Sequence, residues 1–264
     1  MTYRPLFTTI LAIATLVGAC GGGSATPGPT AQTLDGRTFL STTVDGPALV
    51  AGTVIRITFK DGNVSVNAGC NTFGGQYRID GDRLVVGQIV TTEIGCQPNL
   101  AAQDQWVGGL IGGATMGLDG NALILALSGI RVTFLDRVVA DPDRPLIGTR
   151  WVVDGLINGG TVSSAPLGVG AGASFTFTDG RGGVEDVRLD LDTGCNTGSA
   201  SATIQGSSIT LGTLSLTKKA CGQGLAALEG AVTTVARGTM VYAIVADQLT
   251  LTTGGIGLTL RAAP

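Results

Sequence analysis

The tetrapeptide Gly69-Cys70-Asn71-Thr72 returns as Gly194-Cys195-Asn196-Thr197. In both places another cysteine follows at the same separation of 26 residues, Cys96 after Cys70 and Cys221 after Cys195. The matched pairs use four of the five cysteines. A chain of 264 residues can form one large domain or two smaller ones, and the repeat selects two. The expected division is a leader over 1–19, a tether over 20–32, domain 1 over 33–137, a linker over 138–145 and domain 2 over 146–264.

Charged residues are only 13% and hydrophobic ones 44%, with 43 glycines, a mixture that suits short strands joined by tight turns. Thr53 to Phe59 alternates, with Val54, Arg56 and Thr58 on one face and Ile55, Ile57 and Phe59 on the other. Lys60-Asp61-Gly62-Asn63 reads as a hairpin turn, because Asp-Gly tolerates positive φ. Asp80-Gly81-Asp82 reads as another turn, and two closing strands are expected near 123–127 and 130–135. A single helix is expected over 100–110, carrying Trp106 and Leu110, with Asn99 as a candidate N-cap. In the second copy Thr176-Phe177-Thr178-Asp179-Gly180 repeats the hairpin, and Leu225, Leu228, Val232 and Val235 form one helical face. That copy has two insertions, a loop over 162–172 and a longer hairpin over 182–192.

This ordered set resembles the META/HslJ domain family. It comprises Trp151 (Phe39 in the first copy), a strand ending Phe-x-Asp-Gly, Gly-Cys-Asn, Thr92 to Cys96 or Thr217 to Cys221, one helix and closing strands. The resemblance covers nearly all of both copies. It implies an α+β, mainly antiparallel β architecture: two tandem open-barrel-like β domains, each with one packed helix. It also implies an envelope protein loosely linked to stress tolerance, with no established enzymatic activity. The second copy has Gly198-Ser199-Ala200-Ser201 where the first has Phe73-Gly74-Gly75-Gln76-Tyr77. A candidate ligand surface using Phe73, Tyr77 and Trp106 therefore belongs to domain 1.

Arg4 followed by the mostly apolar stretch 6–17 reads as a signal peptide. Its end, Leu16-Val17-Gly18-Ala19-Cys20, resembles a bacterial lipobox, which implies diacylglyceryl transfer to Cys20 and cleavage before it. The Gly/Ser/Pro tether that follows cannot build a core. The expected location is the cell envelope, lipid-anchored on the extracytoplasmic side of a membrane.

The paired cysteines could be zinc ligands or disulfides. Zinc sites usually carry close Cys-x-x-Cys pairs or histidines, and the chain has neither. Export favours oxidation, and the duplication selects Cys70–Cys96 and Cys195–Cys221. Gly69 and Gly194 are expected to take a backbone conformation barred to other residues, and Asn71 and Asn196 to satisfy nearby amides.

Without histidine the commonest general base and neutral metal ligand are missing. Asp192-Thr193-Gly194 spells the aspartic protease triplet, but the aligned Asn67-Ala68-Gly69 brings no second carboxylate. Ser215-Leu216-Thr217-Lys218 matches Ser-x-x-Lys without its partner motifs. Gly168 to Gly172 lacks the helix and Lys of a phosphate loop, and Glu185, Asp186, Asp190 and Asp192 read as a solvated acidic hairpin. No catalytic residue, metal or cofactor is expected. The net charge of −3 and the lack of a basic block argue against nucleic acid. The expected partners are the membrane, through the lipid, and an envelope protein; the alternative is a carrier or sensor of a small apolar ligand held in the open barrel mouth.

Overall fold

The computed structural model describes residues 28–165, 172–180 and 183–264, with backbone only for 183–186. The leader, Cys20, most of the tether and residues 166–171 lie outside the described residues.

The first copy opens with the one-turn helix α1 (Ala31–Leu34), whose Leu34 is fully buried. Six strands follow: β1 (Thr38–Asp45), β2 (Arg56–Lys60), β3 (Asn63–Asn67), β4 (Thr72–Asp80), β5 (Arg83–Val86) and β6 (Val90–Thr91). Helix α2 (Pro98–Ile111) precedes β7 (Thr115–Asp119), β8 (Ala122–Leu127) and β9 (Ile130–Asp136). The short helix α3 (Arg137–Ala140) occupies the start of the linker. The second copy contains β10 (Arg150–Asn158), β11 (Thr161–Ser164), β12 (Ser174–Gly180), β13 (Gly183–Asp192), β14 (Thr197–Gln205), β15 (Ser208–Leu211) and β16 (Ser215–Leu216). Helix α4 (Gln223–Val235) then leads to β17 (Thr239–Val245), β18 (Gln248–Thr253) and β19 (Ile256–Ala262).

Each copy is mainly antiparallel β with one packed helix, and each sheet closes on itself as an eight-stranded barrel. The first ring runs β1-β2-β3-β4-β5-β7-β8-β9, and β9 pairs back with β1. The second runs β10-β12-β13-β14-β15-β17-β18-β19, and β19 pairs back with β10. The resemblance implied an open barrel; pairing of first with last strand closes it. Both closing pairs carry a bulge at the matching place, between Ser41 and Thr43 and between Val153 and Gly155, which bends the strand as barrel closure requires. Outside the rings, β6 pairs β4, and β16 pairs β14.

The alternation read from the sequence is the alternation of the wall. Ile55, Ile57 and Phe59 are fully buried, while Asp61 (φ 50°) and Gly62 (φ 72°) supply the two positive φ angles of the hairpin. Three local expectations change. Helix α2 begins at Pro98 with Gln97 at the cap position and no side-chain cap; Asn99 instead accepts from the Leu100 amide at 3.0 Å. Proline suits the first helical position because its missing N–H would be unpaired there anyway. Strand β7 adds to the two closing strands expected from the sequence; Gly117 in its middle dilutes the alternation. The inserted loop of the second copy begins as a strand, β11, which pairs with β10 outside the ring.

The two barrels bury separate apolar clusters. They reach a filled interior by different routes. The inward positions of β4 are Phe73, Gly75, Tyr77 and Ile79; their counterparts on β14 are Gly198, Ala200, Ala202 and Ile204. The lost aromatic volume returns elsewhere in the second wall. Trp151 replaces Phe39, Phe175 replaces Ile57, and Leu189 and Leu191 replace Val64 and Val66, all 2% exposed or less. An interior enclosed by eight strands is just wide enough for side chains to fill, and close packing forces such volume exchange.

The linker holds its own contacts. Asp136 accepts from Arg37 at 2.7 Å and caps α3 through the Val138 amide. Asp143 pairs with Arg137 and accepts from the Ala246 amide at 2.7 Å. Burial pushes the Asp143 carboxyl up, but these two donors outweigh it and hold it below its ordinary value.

Each copy thus has a complete ring, a helix and a core of its own. We expect 33–139 and 146–264, expressed separately, each to unfold cooperatively and to give dispersed amide NMR spectra. Two disordered halves that order only on mixing would mean that strands are shared between the copies.

Candidate functional site

The most elaborate polar structure in each barrel surrounds the repeated Gly-Cys-Asn. In domain 1, Asn67 at the end of β3 accepts from the Gly69 amide at 3.1 Å. In domain 2, Asp192 at the end of β13 accepts from the Gly194 amide at 2.8 Å. The carboxylate of the protease-like triplet is therefore the counterpart of an asparagine that shapes a turn. Gly69 (φ 127°) and Gly194 (φ 85°) sit in the region open to glycine, and a Cβ on Gly69 would stand 2.9 Å from the Thr53 methyl.

The turn delivers Cys70 and Cys195 to the second cysteine of each pair. Cys70 is bonded to Cys96 and Cys195 to Cys221, the pairing the duplication selects. Next to each disulfide the asparagine side chain is the hub. Asn71 Oδ1 accepts from Thr92 Oγ1 at 2.9 Å and from the Ile94 amide at 2.9 Å. Asn196 Oδ1 accepts from Thr217 Oγ1 at 2.7 Å and from the Lys219 amide at 2.7 Å. The same threonines accept from the amides of Thr72 and Thr197. The Thr-x-x-x-Cys segment is thus tied to Gly-Cys-Asn by side chain as well as by disulfide.

The amide nitrogens lie beside sulfur, and Asn196 Nδ2 also donates to the Lys219 carbonyl at 3.2 Å. Asn71 Nδ2 lies 2.9 Å from Cys96 Sγ, and Asn196 Nδ2 lies 3.4 Å from Cys221 Sγ. One helical carboxylate completes each cluster, eight residues after the second cysteine: Asp104 on α2 and Glu229 on α4. Asp104 Oδ2 accepts from the Asn71 backbone amide at 2.8 Å, while its Oδ1 is buried without a partner among the described residues. Glu229 Oε2 accepts from Thr193 Oγ1 at 2.6 Å and from Asn196 Nδ2 at 2.9 Å. These two hydrogen bonds, the threonine one foremost, hold the Glu229 carboxyl below its ordinary value. Sequence reasoning missed both carboxylates. Their matching distance from Cys96 and Cys221 was the available signal.

The three aromatic candidates do not form one surface. Phe73 is in the core at 5% exposure, and Trp106 packs partly buried against it. Tyr77 packs edge-on to Phe59, and burial followed by the charge of Asp35 raises its pKa. It lines an open surface hollow of about 340 Å³ shared with Ala31, Gln32, Asp35, Asp61 and Gly62. Ser215 lies on strand β16 rather than at a helix start. Of the acidic hairpin, Asp190 pairs with Arg188 and Asp192 caps the turn; the side chains of Glu185 and Asp186 lie outside the described residues.

The META domain family model matches residues 32–139 and again 144–263. The chain belongs to the META domain family, with two tandem copies of the domain. No curated protein matches it. Among solved structures, an NMR structure is 24% identical over 40% of this chain and 94% of its own, with TM-score 0.36. An NMR structure of a Burkholderia xenovorans protein is 18% identical over 50% of this chain and 98% of its own, with TM-score 0.35. A DNA polymerase III β chain from Streptococcus pneumoniae is 8% identical over 89% of this chain and 59% of its own, with TM-score 0.18.

Two substitutions test the hub in domain 2, followed by Trp151 fluorescence in a Trp106→Phe background. Asn196→Ala leaves the Lys219 amide and the Thr217 hydroxyl without their acceptor, and we expect it to cost domain 2 at least about 2 kcal/mol in urea unfolding. Glu229 has a lowered folded pKa, so its contribution is fully present above the ordinary glutamate value of about 4.3. It is lost as pH falls through that value and on through the lower folded one. Glu229→Gln should flatten the acid side of the stability profile; a profile as steep as that of the parent refutes the assignment.

Proposed function

We propose that the chain is an exported lipoprotein of the cell envelope, anchored through Cys20, in which two rigid META barrels act as non-enzymatic binding modules. Membership of the META family points to an envelope or stress-related protein. The observation that carries the reading is one disulfide per barrel, downstream of a lipobox-like Leu16-Val17-Gly18-Ala19-Cys20. Disulfides persist outside the cytosol, and several acyl chains on one cysteine give stable anchoring. The tether after Cys20 would hold the barrels off the membrane surface.

The hub supports a structural rather than a catalytic role. Its hydroxyls at Thr92 and Thr217 are spent as donors to an asparagine oxygen, and its sulfurs are bonded to each other. The buried apolar cluster that the inward-facing residues of each ring form weighs against a small apolar ligand carried inside. The acidic balance of the chain weighs against nucleic acid. A protein or other envelope component bound on the outer faces is the remaining reading.

Expression of the full chain and of Cys20→Ala in a bacterial host, with detergent phase partitioning and mass analysis of the N-terminal peptide, tests the anchor. The parent should partition with detergent and carry acyl mass on Cys20, and the variant should stay in the aqueous phase. A variant that still fractionates as a lipidated membrane protein overturns the localisation.

A further inference from the structure

The geometry points to a second, redox-gated identity for each hub: once its disulfide is reduced, the two cysteine sulfurs and the helical carboxylate form a binding site for one thiophilic divalent cation, with Zn²⁺ as the natural probe. The inference does not depend on where the chain resides.

Three observations carry it. The first is spacing. A four-coordinate zinc site with Zn–S of about 2.3 Å and Zn–O of about 2.1 Å places its ligand atoms about 3.6 to 3.8 Å apart. Cys96 Sγ already lies 3.9 Å from Asp104 Oδ2, and Cys221 Sγ lies 3.9 Å from Glu229 Oε2. All three ligand atoms of each set fall within 4.8 Å of one another. Only the sulfur–sulfur separation has to widen, from a bond to the ligand spacing, which side-chain rotation at two partly exposed cysteines allows.

The second is the donor set around the sulfurs. A disulfide sulfur is a weak acceptor, yet Asn71 Nδ2 is aimed at Cys96 Sγ at 2.9 Å; in domain 2 Asn196 Nδ2 serves Glu229 Oε2 and the Lys219 carbonyl first and lies 3.4 Å from Cys221 Sγ. An amide N–H is far better matched to a thiolate, and such outer donors stabilise metal-bound ligands. The third is the carboxylate. Asp104 Oδ2 lies 3.9 Å from Cys96 Sγ, and the other oxygen of the same carboxylate, Oδ1, is buried and accepts no hydrogen bond among the described residues, so the carboxylate is not fully used by the protein. Both sets occur at matching positions of the two copies, so the arrangement is not an accident of one domain.

The chemistry balances in two steps. Reduction by a phosphine breaks the S–S bond: the phosphine is oxidised to its oxide, taking oxygen from water, and the two sulfurs leave as thiols. Zn²⁺ then displaces two thiol protons to solvent and binds two thiolates and the ionised carboxylate, leaving one position for water. This is the three-ligand, open pattern of a zinc site rather than the closed four-ligand one.

The test is a titration of the full chain under anaerobic conditions with a phosphine reductant. Co²⁺ is followed by its thiolate charge-transfer absorption, and Zn²⁺ by competition with a chromophoric chelator. The reduced chain should bind two equivalents with the absorption of a dithiolate site, and the oxidised chain none. Asp104→Asn with Glu229→Gln, first shown to keep the fold in the disulfide form by circular dichroism, should weaken binding by about tenfold or more. Equal binding by the oxidised chain overturns the inference, as does unchanged affinity in the carboxylate variants. A reduced chain that unfolds and is not restored by Zn²⁺ overturns it as well.

Discussion

Pairing of the first strand with the last is the constraint on which the rest of each domain depends. β1 with β9, and β10 with β19, turn an open meander into a ring in which every wall strand has two neighbours. Closure removes the exposed edges of the ring and fixes the volume inside it. From that point the core is a packing problem with a set capacity. The two copies solve it with different residues, Phe73 and Tyr77 in one, Trp151, Phe175, Leu189 and Leu191 in the other. The divergence of Phe73-Gly74-Gly75-Gln76-Tyr77 from Gly198-Ser199-Ala200-Ser201-Ala202 is therefore a repartition of interior volume between strands.

The ring alone leaves the segments between β5 and α2, and between β15 and α4, with only the two-residue strands β6 and β16 as regular structure to hold them. The disulfide and the asparagine hub take that role together. The disulfide limits the unfolded chain over a loop of 26 residues, worth roughly 3 kcal/mol on the chain-entropy view. The hub fixes direction: one asparagine oxygen takes a hydroxyl and an amide from the returning segment, and its nitrogen reaches sulfur. Helical carboxylates then tie that junction to α2 and α4. In domain 1 the tie is reinforced by buried Gln103, which bonds the Ala68 carbonyl, Thr53 and the Val50 amide. In domain 2 the counterpart of Gln103 is Leu228, and Thr193 with Glu229 supplies the polar link instead.

A barrel packed this way is a rigid module with its chemistry at one junction. The disulfide junction is where oxidation state would be felt. In both META domains the fold is kept by a closed wall, and the polar cluster sits at one junction on it.

Much of this was legible in the chain. The repeated Gly-Cys-Asn-Thr with equal cysteine spacing sets the domain count and the pairing of the sulfurs, because a duplicated fold must place duplicated residues alike. The alternation of Ile55, Ile57 and Phe59 and the Asp61-Gly62 turn are local, so period and backbone preference reveal them. Other features needed the tertiary structure. Ring closure depends on β1 and β9 meeting across the whole domain, which no local pattern encodes. Strand β7 is diluted by glycine, and Asn99 loses the capping position to a proline-led start one residue earlier. Asp104 and Glu229 look like ordinary helix-surface acids until folding sets them beside sulfur. Whether Phe73 is a surface or a core residue is decided by which way the closed wall turns it, and the wall turns it inward.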